Sequence, residues 1–392
     1  MKTENYIARH VAVVPPSGIR KFFDIASEMK DVISLSVGEP DFVTPWNIRE
    51  TAIFSIERGI THYTSNWGTI ELRRQIARYL STRYELEFNP ADEIVVTVGA
   101  SEALDLVFRA IIDPGDEILI PAPSYVSYMP GVRFAGGVAV SMGTREQESF
   151  KLTEESIRKA VTNKTKAIVI PYPNNPTGAI MTKEELSALR NVIIKHDLLV
   201  ISDEIYSELT YGAAHVSIAS FPDIRERCVV INGFSKAFAM TGFRLGYAAG
   251  PEPVIRAMVK IHQYSMLAAP TMSQIAGVEA IRHEIETGFA QIEKMRKSYD
   301  RRRQYIYKAF NEIGLTCFEP KGAFYVFPNI TKAGMPSEEF CNRLIHEKKV
   351  ACVPGTAFGA EGEGYMRCSY ASSIENIREA LSRIAEFVEE NS

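Results

Sequence analysis

The feature that most limits the fold of this chain is a series of short apolar runs separated by helical patterns. The runs lie at 93–99, 117–121, 166–171, 198–202, 229–232 and 244–250. They are continuous and rich in Val and Ile rather than alternating, which is typical of strands buried on both faces of a mostly parallel sheet. Between them, 101–112 and 183–195 place their apolar residues on one helical face. This alternation predicts an α/β domain.

The character of the chain changes after about residue 285. Residues 284–313 form one long charged helical pattern that could connect two domains, and short strands and two helices (337–348 and 373–390) follow it. These later elements predict a smaller α+β unit. We therefore expect a large domain at 41–285 and a small C-terminal domain at 286–392. Residues 1–40 are expected to form an arm or to join the small domain.

Composition argues against several classes of protein. The chain has 392 residues and a net charge of −4, so it offers no general attraction for nucleic acid or anionic membranes. Its apolar runs are too short to span a bilayer, and the polar N-terminus does not resemble a secretory signal. Five widely spaced cysteines without a CxxC pair indicate reduced thiols in the cytoplasm. The seven histidines lack metal-ligand spacing, so no metal site is expected.

Lys236 occupies an unusual position for a lysine. It follows the apolar run at 229–232 directly, next to Ser235, and Arg244 comes eight residues later. Burial disfavours the ammonium form, so such a lysine can be neutral and nucleophilic near neutral pH. An imine-forming lysine needs that property. Ser235 and Arg244 could bind an anion beside it.

Polar residues also stand at the ends of other predicted strands. The segment from Gly99 to Ser101 opens a helix, where free N–H groups can hold a phosphate, although a plain serine cap is the simpler interpretation. Asn175 follows the run at 166–171, either in a ligand-binding crevice or in an ordinary turn. Asp203 ends the next run. It could pair with a protonated ring nitrogen or cap the following helix.

Four further positions are ambiguous when each is taken alone. Tyr206 could reach a phenolic oxygen. Arg367 ends a late strand and suits bidentate capture of a carboxylate, but a surface arginine is the default. Tyr63 and Tyr125 are single aromatic residues in loops, where simple packing is the default.

The order of these elements resembles that of the fold-type-I pyridoxal-phosphate enzymes. It is most similar to the class I and II aminotransferases, in the branch with bacterial and archaeal aromatic and aspartate aminotransferases. The resemblance runs from about Ser17 to the last helix. It implies a large cofactor-binding domain with a mostly parallel seven-stranded sheet sandwiched by helices, plus a smaller α+β domain. It also implies pyridoxal 5′-phosphate as cofactor.

The resemblance assigns the chemistry to four residues. Lys236 would hold the cofactor as an imine and then move a proton between the substrate Cα and the C4′ carbon. Asp203 would keep the pyridine nitrogen protonated, so that the ring serves as an electron sink. Asn175 and Tyr206 would donate to the phenolic oxygen of the ring, and Asn175 also lies near the substrate.

The remaining roles concern binding. Tyr125 would stack on the ring, Arg367 would clamp the substrate α-carboxylate, and Gly38 would make a backbone contact near the substrate. Tyr63 would reach the phosphate of a neighbouring subunit, which implies a homodimer with shared active sites. The phosphate cup would consist of Gly99, Ala100, Ser101, Ser235 and Arg244.

The implied reaction is a ping-pong transfer of an amino group from an L-amino acid, aromatic or other, to a 2-oxo acid such as 2-oxoglutarate. Related enzymes that act on dicarboxylates carry a lysine at the position of Ser101, so serine weakens that reading. Trp67, Phe324 and Tyr325 suit a bulky apolar side chain, or merely packing. A carbon–sulfur β-lyase on the same scaffold is the alternative. A non-catalytic regulator is disfavoured, because the chain has no basic patch.

Overall fold

The computed structural model of the protein describes residues 6–391. Within this range the chain forms twelve strands: β1 Ile33–Ser34, β2 Ile94–Thr97, β3 Glu117–Ala122, β4 Val138–Gly143, β5 Thr165–Ile170, β6 Leu199–Asp203, β7 Cys228–Gly233, β8 Gly246–Ala249, β9 Tyr325–Val326, β10 Val350–Ala351, β11 Val353–Pro354 and β12 Met366–Ser369.

The described residues also form fifteen α-helices. They are α1 Arg9–Ala12, α2 Gly18–Glu28, α3 Trp46–Glu57, α4 Ile70–Tyr84, α5 Gly99–Ile111, α6 Tyr128–Phe134, α7 Glu154–Ala160, α8 Lys183–Lys195, α9 Pro222–Arg225, α10 Phe234–Ala237, α11 Glu252–Ser265, α12 Thr271–Glu286, α13 Ala290–Ile313, α14 Ser337–Lys348 and α15 Ile374–Glu390. No helix within residues 6–391 has both the length and the apolar character needed to cross a membrane.

A seven-stranded sheet forms the centre of the molecule, in the order β2-β8-β7-β6-β5-β3-β4. Every neighbouring pair is parallel except the two pairs that involve β8, which runs antiparallel to both β2 and β7. Core side chains from flanking helices such as α4, α5 and α8 cover the sheet. The predicted α/β class with a mostly parallel seven-stranded sheet is therefore confirmed. Strand β4, at the edge, is the one strand of this sheet that the apolar runs did not predict.

The prediction of one continuous helix over 284–313 is wrong. Helix α12 ends at Glu286 and α13 begins at Ala290. Gly288 and Phe289 between them have φ values of 64° and 63°, in the left-handed region that ends a helix. The break turns the Phe289 side chain into the core, where its ring lies 6.2 Å from that of Tyr79.

A second, smaller core lies around the short strands. Strands β11, β12 and β9 form a three-stranded antiparallel sheet, and β1 pairs in parallel with β10. The segment after β6 is joined to this core: Leu209 and Tyr211 pack in it, and the Ala323 amide donates to the Leu209 carbonyl at 2.8 Å. The domain boundaries at residues 40 and 285 stay predictions.

One edge of the large sheet collects several chain segments. Strands β2, β5, β6 and β7 end at this edge, and β8 begins there because it runs the opposite way. The start of β8 packs directly on the first turn of α5, since a Cβ on Gly246 would lie 2.4 Å from the Ala100 backbone nitrogen. Only glycine allows this close approach, which fixes the start of α5 against the sheet.

Candidate active site

A cavity of about 370 Å³ opens at this edge of the sheet. It brings together most of the site residues predicted from the sequence. Those that line it are Gly38, Ala100, Ser101, Tyr125, Asn175, Asp203, Tyr206, Ser235, Lys236, Arg244 and Arg367. Residues separated by more than three hundred positions in the chain thus meet in one small space.

Lys236 lies in the short helix α10, immediately after β7. Its Nζ donates to the Gly38 carbonyl oxygen at 2.7 Å. The pKa of this lysine is lowered to about 8, mainly by burial; Glu39 opposes the shift, and the nearby charges of Arg367 and Arg244 contribute to it. About a tenth of the amine is therefore neutral at pH 7, far more than for an ordinary lysine, and the neutral form is the one that a nucleophile or general base requires.

Asp203 is the last residue of β6 and lines the cavity. Its Oδ2 accepts a hydrogen bond from the Tyr128 hydroxyl at 2.7 Å, and its Oδ1 accepts one from the Ile205 amide at 3.2 Å. Burial raises the pKa of this carboxyl to about 6, and the two hydrogen bonds limit the rise. Asp203 is thus a buried acceptor held in place on both oxygens. Tyr128, which begins α6 three residues after Tyr125, was not predicted from the sequence.

Arg367 is a fully buried cation on β12, only 1% exposed. Its Nη1 donates to Asn175 Oδ1 at 3.0 Å and its Nη2 to the Ser36 carbonyl at 2.6 Å. Its Nε, also buried, has no hydrogen-bond partner within the described part of the chain. A buried guanidinium with neutral partners and a free N–H fits a carboxylate ligand.

The opposite end of the cavity suits a phosphate. Arg244 precedes β8, and its guanidinium lies 2.7 Å from where a Gly99 Cβ would stand, beside the first turn of α5. Ser101 and Ser235 add hydroxyls. The first turn of α5 also contains an acidic residue, Glu102, but its carboxylate is engaged by hydrogen bonds from the Val98 amide and from His262. Free N–H groups, hydroxyls and an arginine together can hold a dianion.

Two predicted residues lie outside the lining. Gly99 sits just behind it, against Arg244. Tyr63 is 85% exposed and does not contribute to the lining. Of the aromatic residues noted for substrate, Tyr325 alone lines the cavity. Lining residues that the sequence analysis did not single out are Ile19, Leu104, Tyr128, Pro173 and Ile205.

Comparison with known proteins agrees with this geometry. The profile of the family described as "Aminotransferase class I and II" matches residues 30–384. A putative aminotransferase, YugH, of Bacillus subtilis is 53% identical over 98% of both chains. An aspartate aminotransferase of Pyrococcus abyssi is 46% identical over 96% of this chain and 97% of its own.

A solved structure shows the same fold. The aromatic aminotransferase from Pyrococcus horikoshii superposes with a TM-score of 0.90 at 43% identity, covering 95% of this chain and 99% of that one. These matches extend over nearly the whole chain and confirm the resemblance seen in the motifs. They favour transamination over the β-lyase alternative. The chain belongs to the class I and II aminotransferases.

Proposed function

We propose that this aminotransferase works with pyridoxal 5′-phosphate in the cavity described above. In the proposed reaction it transfers the amino group of an L-amino acid to a 2-oxo acid such as 2-oxoglutarate. The observation that carries the proposal is the cavity's pairing of a lysine of lowered pKa with a buried acid and a buried arginine. Members of the family depend on this cofactor in general.

The groups that line the cavity fit the parts of the cofactor one by one. Asp203 suits the ring nitrogen, Asn175 and Tyr206 suit the phenolic oxygen, and Tyr125 suits the ring face. The phosphate would be held by Gly99, Ala100, Ser101, Ser235 and Arg244. When bound, the cofactor supplies an electron sink that stabilises negative charge at the substrate Cα.

The protein's own residues then bind the substrate and move its proton. Arg367 binds the α-carboxylate, using the Nε hydrogen that has no partner among residues 6–391. Lys236 Nζ, in its neutral form, takes the proton from the substrate Cα and can return it. Asp203, held by Tyr128, stays ionised at neutral pH and so favours a proton on the facing ring nitrogen.

For the substrate side chain we propose an aromatic or other bulky apolar group. Among the described residues that line the cavity, the cations are Lys236, Arg244 and Arg367, and each already has a proposed partner. The lining also includes the apolar side chains of Ile19 and Leu104. A second carboxylate would find no further cation among the described residues that line this cavity. The relatives named above include both an aspartate and an aromatic aminotransferase, so the choice needs a direct test.

We also propose a homodimer with shared active sites. Tyr63 and Tyr264 are 85% and 86% exposed, and Trp46 and Met266 are also largely exposed. The loops that carry Tyr63 and Met266 are tied together, because Asn66 Nδ2 donates to the Leu267 carbonyl at 2.7 Å. Such exposed aromatic surface is typical of a subunit interface.

Replacing the lysine tests the central assignment. We expect Lys236→Ala to lower the transamination rate by about a thousandfold or more, because nucleophile and general base are both lost. The variant should also yield no borohydride-stable adduct with the cofactor by mass spectrometry. Lys260→Ala, at an exposed position of α11, is the matched control and should behave as wild type. A Lys236→Ala enzyme with the wild-type rate would disprove the assignment.

The lowered pKa of Lys236 predicts a pH dependence. In cofactor-free enzyme, covalent capture of pyridoxal phosphate requires the neutral amine, whose fraction increases as pH rises. The capture rate should therefore rise through a midpoint at about 8 and then level off. An ordinary lysine would titrate at about 10.4. Stopped-flow absorbance across pH 6 to 10 measures this, and a rate still climbing near the upper limit would contradict the prediction.

A matrix of amino donors tests the substrate class. With 2-oxoglutarate as acceptor, we expect kcat/KM for phenylalanine to exceed that for aspartate by about tenfold or more, since an unpaired carboxylate in a neutral pocket is costly. Ser101→Lys should narrow this ratio by improving aspartate turnover. Faster turnover of aspartate than of phenylalanine by the wild-type enzyme would argue for a dicarboxylate substrate.

Complementation tests the shared site. If Tyr63 serves the neighbouring subunit, co-expressed Lys236→Ala and Tyr63→Ala chains should form hybrid dimers with one intact site. Random pairing then restores about a quarter of wild-type activity. Each variant purified alone is the control. If the hybrid is no more active than the sum of the two variants, the site is not shared through Tyr63.

A further inference from the structure

Tyr325, on β9, contacts three of the site residues at once. Its hydroxyl lies 2.8 Å from the Tyr206 hydroxyl, and its ring centroid lies 4.4 Å from the guanidinium carbon of Arg367. A Cβ at Gly38 would stand 2.4 Å from the same hydroxyl. The side chain is 1% exposed, so these contacts are shielded from water.

The hydroxyl contact bears on Tyr206, the predicted donor to the cofactor's phenolic oxygen. A hydroxyl that accepts a hydrogen bond becomes a stronger donor in turn, and the effect is larger in a buried site. Tyr325 can donate to the Tyr206 oxygen and leave the Tyr206 hydrogen for the ligand. The contact also restricts the rotation of the Tyr206 hydroxyl.

The ring contact bears on Arg367, the predicted carboxylate clamp. The guanidinium lies over the Tyr325 ring and 4.9 Å from the Phe358 ring centroid, so aromatic faces stabilise its charge. A cation stacked in this way keeps its in-plane N–H groups free for a planar acceptor. Its Nε, which has no partner in the described part of the chain, is one such group.

We propose that Tyr325 is a positioning residue that serves both halves of the site. Its hydroxyl orients and polarises Tyr206, and its ring holds Arg367 ready for the substrate carboxylate. The proposal rests on the proposed function of the cavity. It also gives a reason for glycine at position 38, since any side chain there would displace the Tyr325 hydroxyl.

Two substitutions separate the hydroxyl from the ring. In Tyr325→Phe, Tyr206 becomes a weaker hydrogen-bond donor to the cofactor's phenolic oxygen. The absorbance of the bound cofactor changes with pH, and the midpoint of that change should therefore rise by about half a pH unit. Binding of 3-phenylpropanoate, a carboxylate without an amino group, should stay within about twofold, since the ring remains. In Tyr325→Leu, the dissociation constant for this probe should increase by about tenfold.

Tyr370→Phe is the matched control. Tyr370 lies in the same core, fully buried, and its hydroxyl donates to the Ala323 carbonyl, which Tyr211 also contacts. It should move neither the absorbance midpoint nor the probe affinity. Gly38→Ala supplies a second variant, because it displaces the hydroxyl without changing Tyr325 and keeps the backbone carbonyl that accepts from Lys236. It should raise the midpoint as Tyr325→Phe does.

The results that overturn the proposal are specific. An unmoved midpoint in both Tyr325→Phe and Gly38→Ala rules out the role of the hydroxyl, and an unchanged probe affinity in Tyr325→Leu rules out the role of the ring. Equal shifts in Tyr370→Phe would show a general packing effect and would also overturn it. A wild-type enzyme that binds no pyridoxal phosphate would instead contradict the proposed function itself.

Discussion

The direction of each strand at one edge of the sheet is the constraint on which the site depends. Strands β5, β6 and β7 end there and deliver Asn175, Asp203 and Lys236. Strand β8 runs the other way, so its beginning reaches the same edge and brings Arg244 between α5 and α10. Because β8 is antiparallel, the residue just before it, Arg244, lies at the edge where the parallel strands have their carboxyl ends. Ligand sites in such sheets generally lie at the carboxyl ends of the parallel strands. Here the antiparallel strand β8 supplies a further residue to such a site.

Burial gives the two titrating groups of the site their chemistry. The same loss of water lowers the pKa of Lys236 to about 8 and raises that of Asp203 to about 6, because one is charged when protonated and the other when deprotonated. Both pKa values therefore move towards neutral pH. An uncompensated buried charge costs free energy, so the stability of the surrounding core must offset the cost of keeping these two groups buried.

Local sequence predicted the buried strands of the large sheet and the residues that directly follow them. Strand β4 was not predicted, because it lies at one edge of the sheet with Val138 and Ser141 exposed and therefore lacks a continuous apolar run. The break at Gly288 was hidden because the helical pattern resumes at once. Tyr128 was not predicted, and Tyr325 was considered only for packing or a substrate side chain, for another reason. Their partners, Asp203 and Tyr206, lie 75 and 119 residues away, and such contacts exist only after folding.

The joint between the segment after β6 and the second core has a consequence for how the molecule unfolds. Tyr206, Leu209 and Tyr211 follow the large sheet in sequence but pack with the residues around Phe324. A chain cut at residue 285 would leave these three side chains in water and remove the partner of the Leu209 carbonyl. The two cores are therefore coupled thermodynamically, and loosening either one releases a wall of the cavity. We therefore expect loss of activity and loss of structure to begin together, at the contacts between these three residues and the second core.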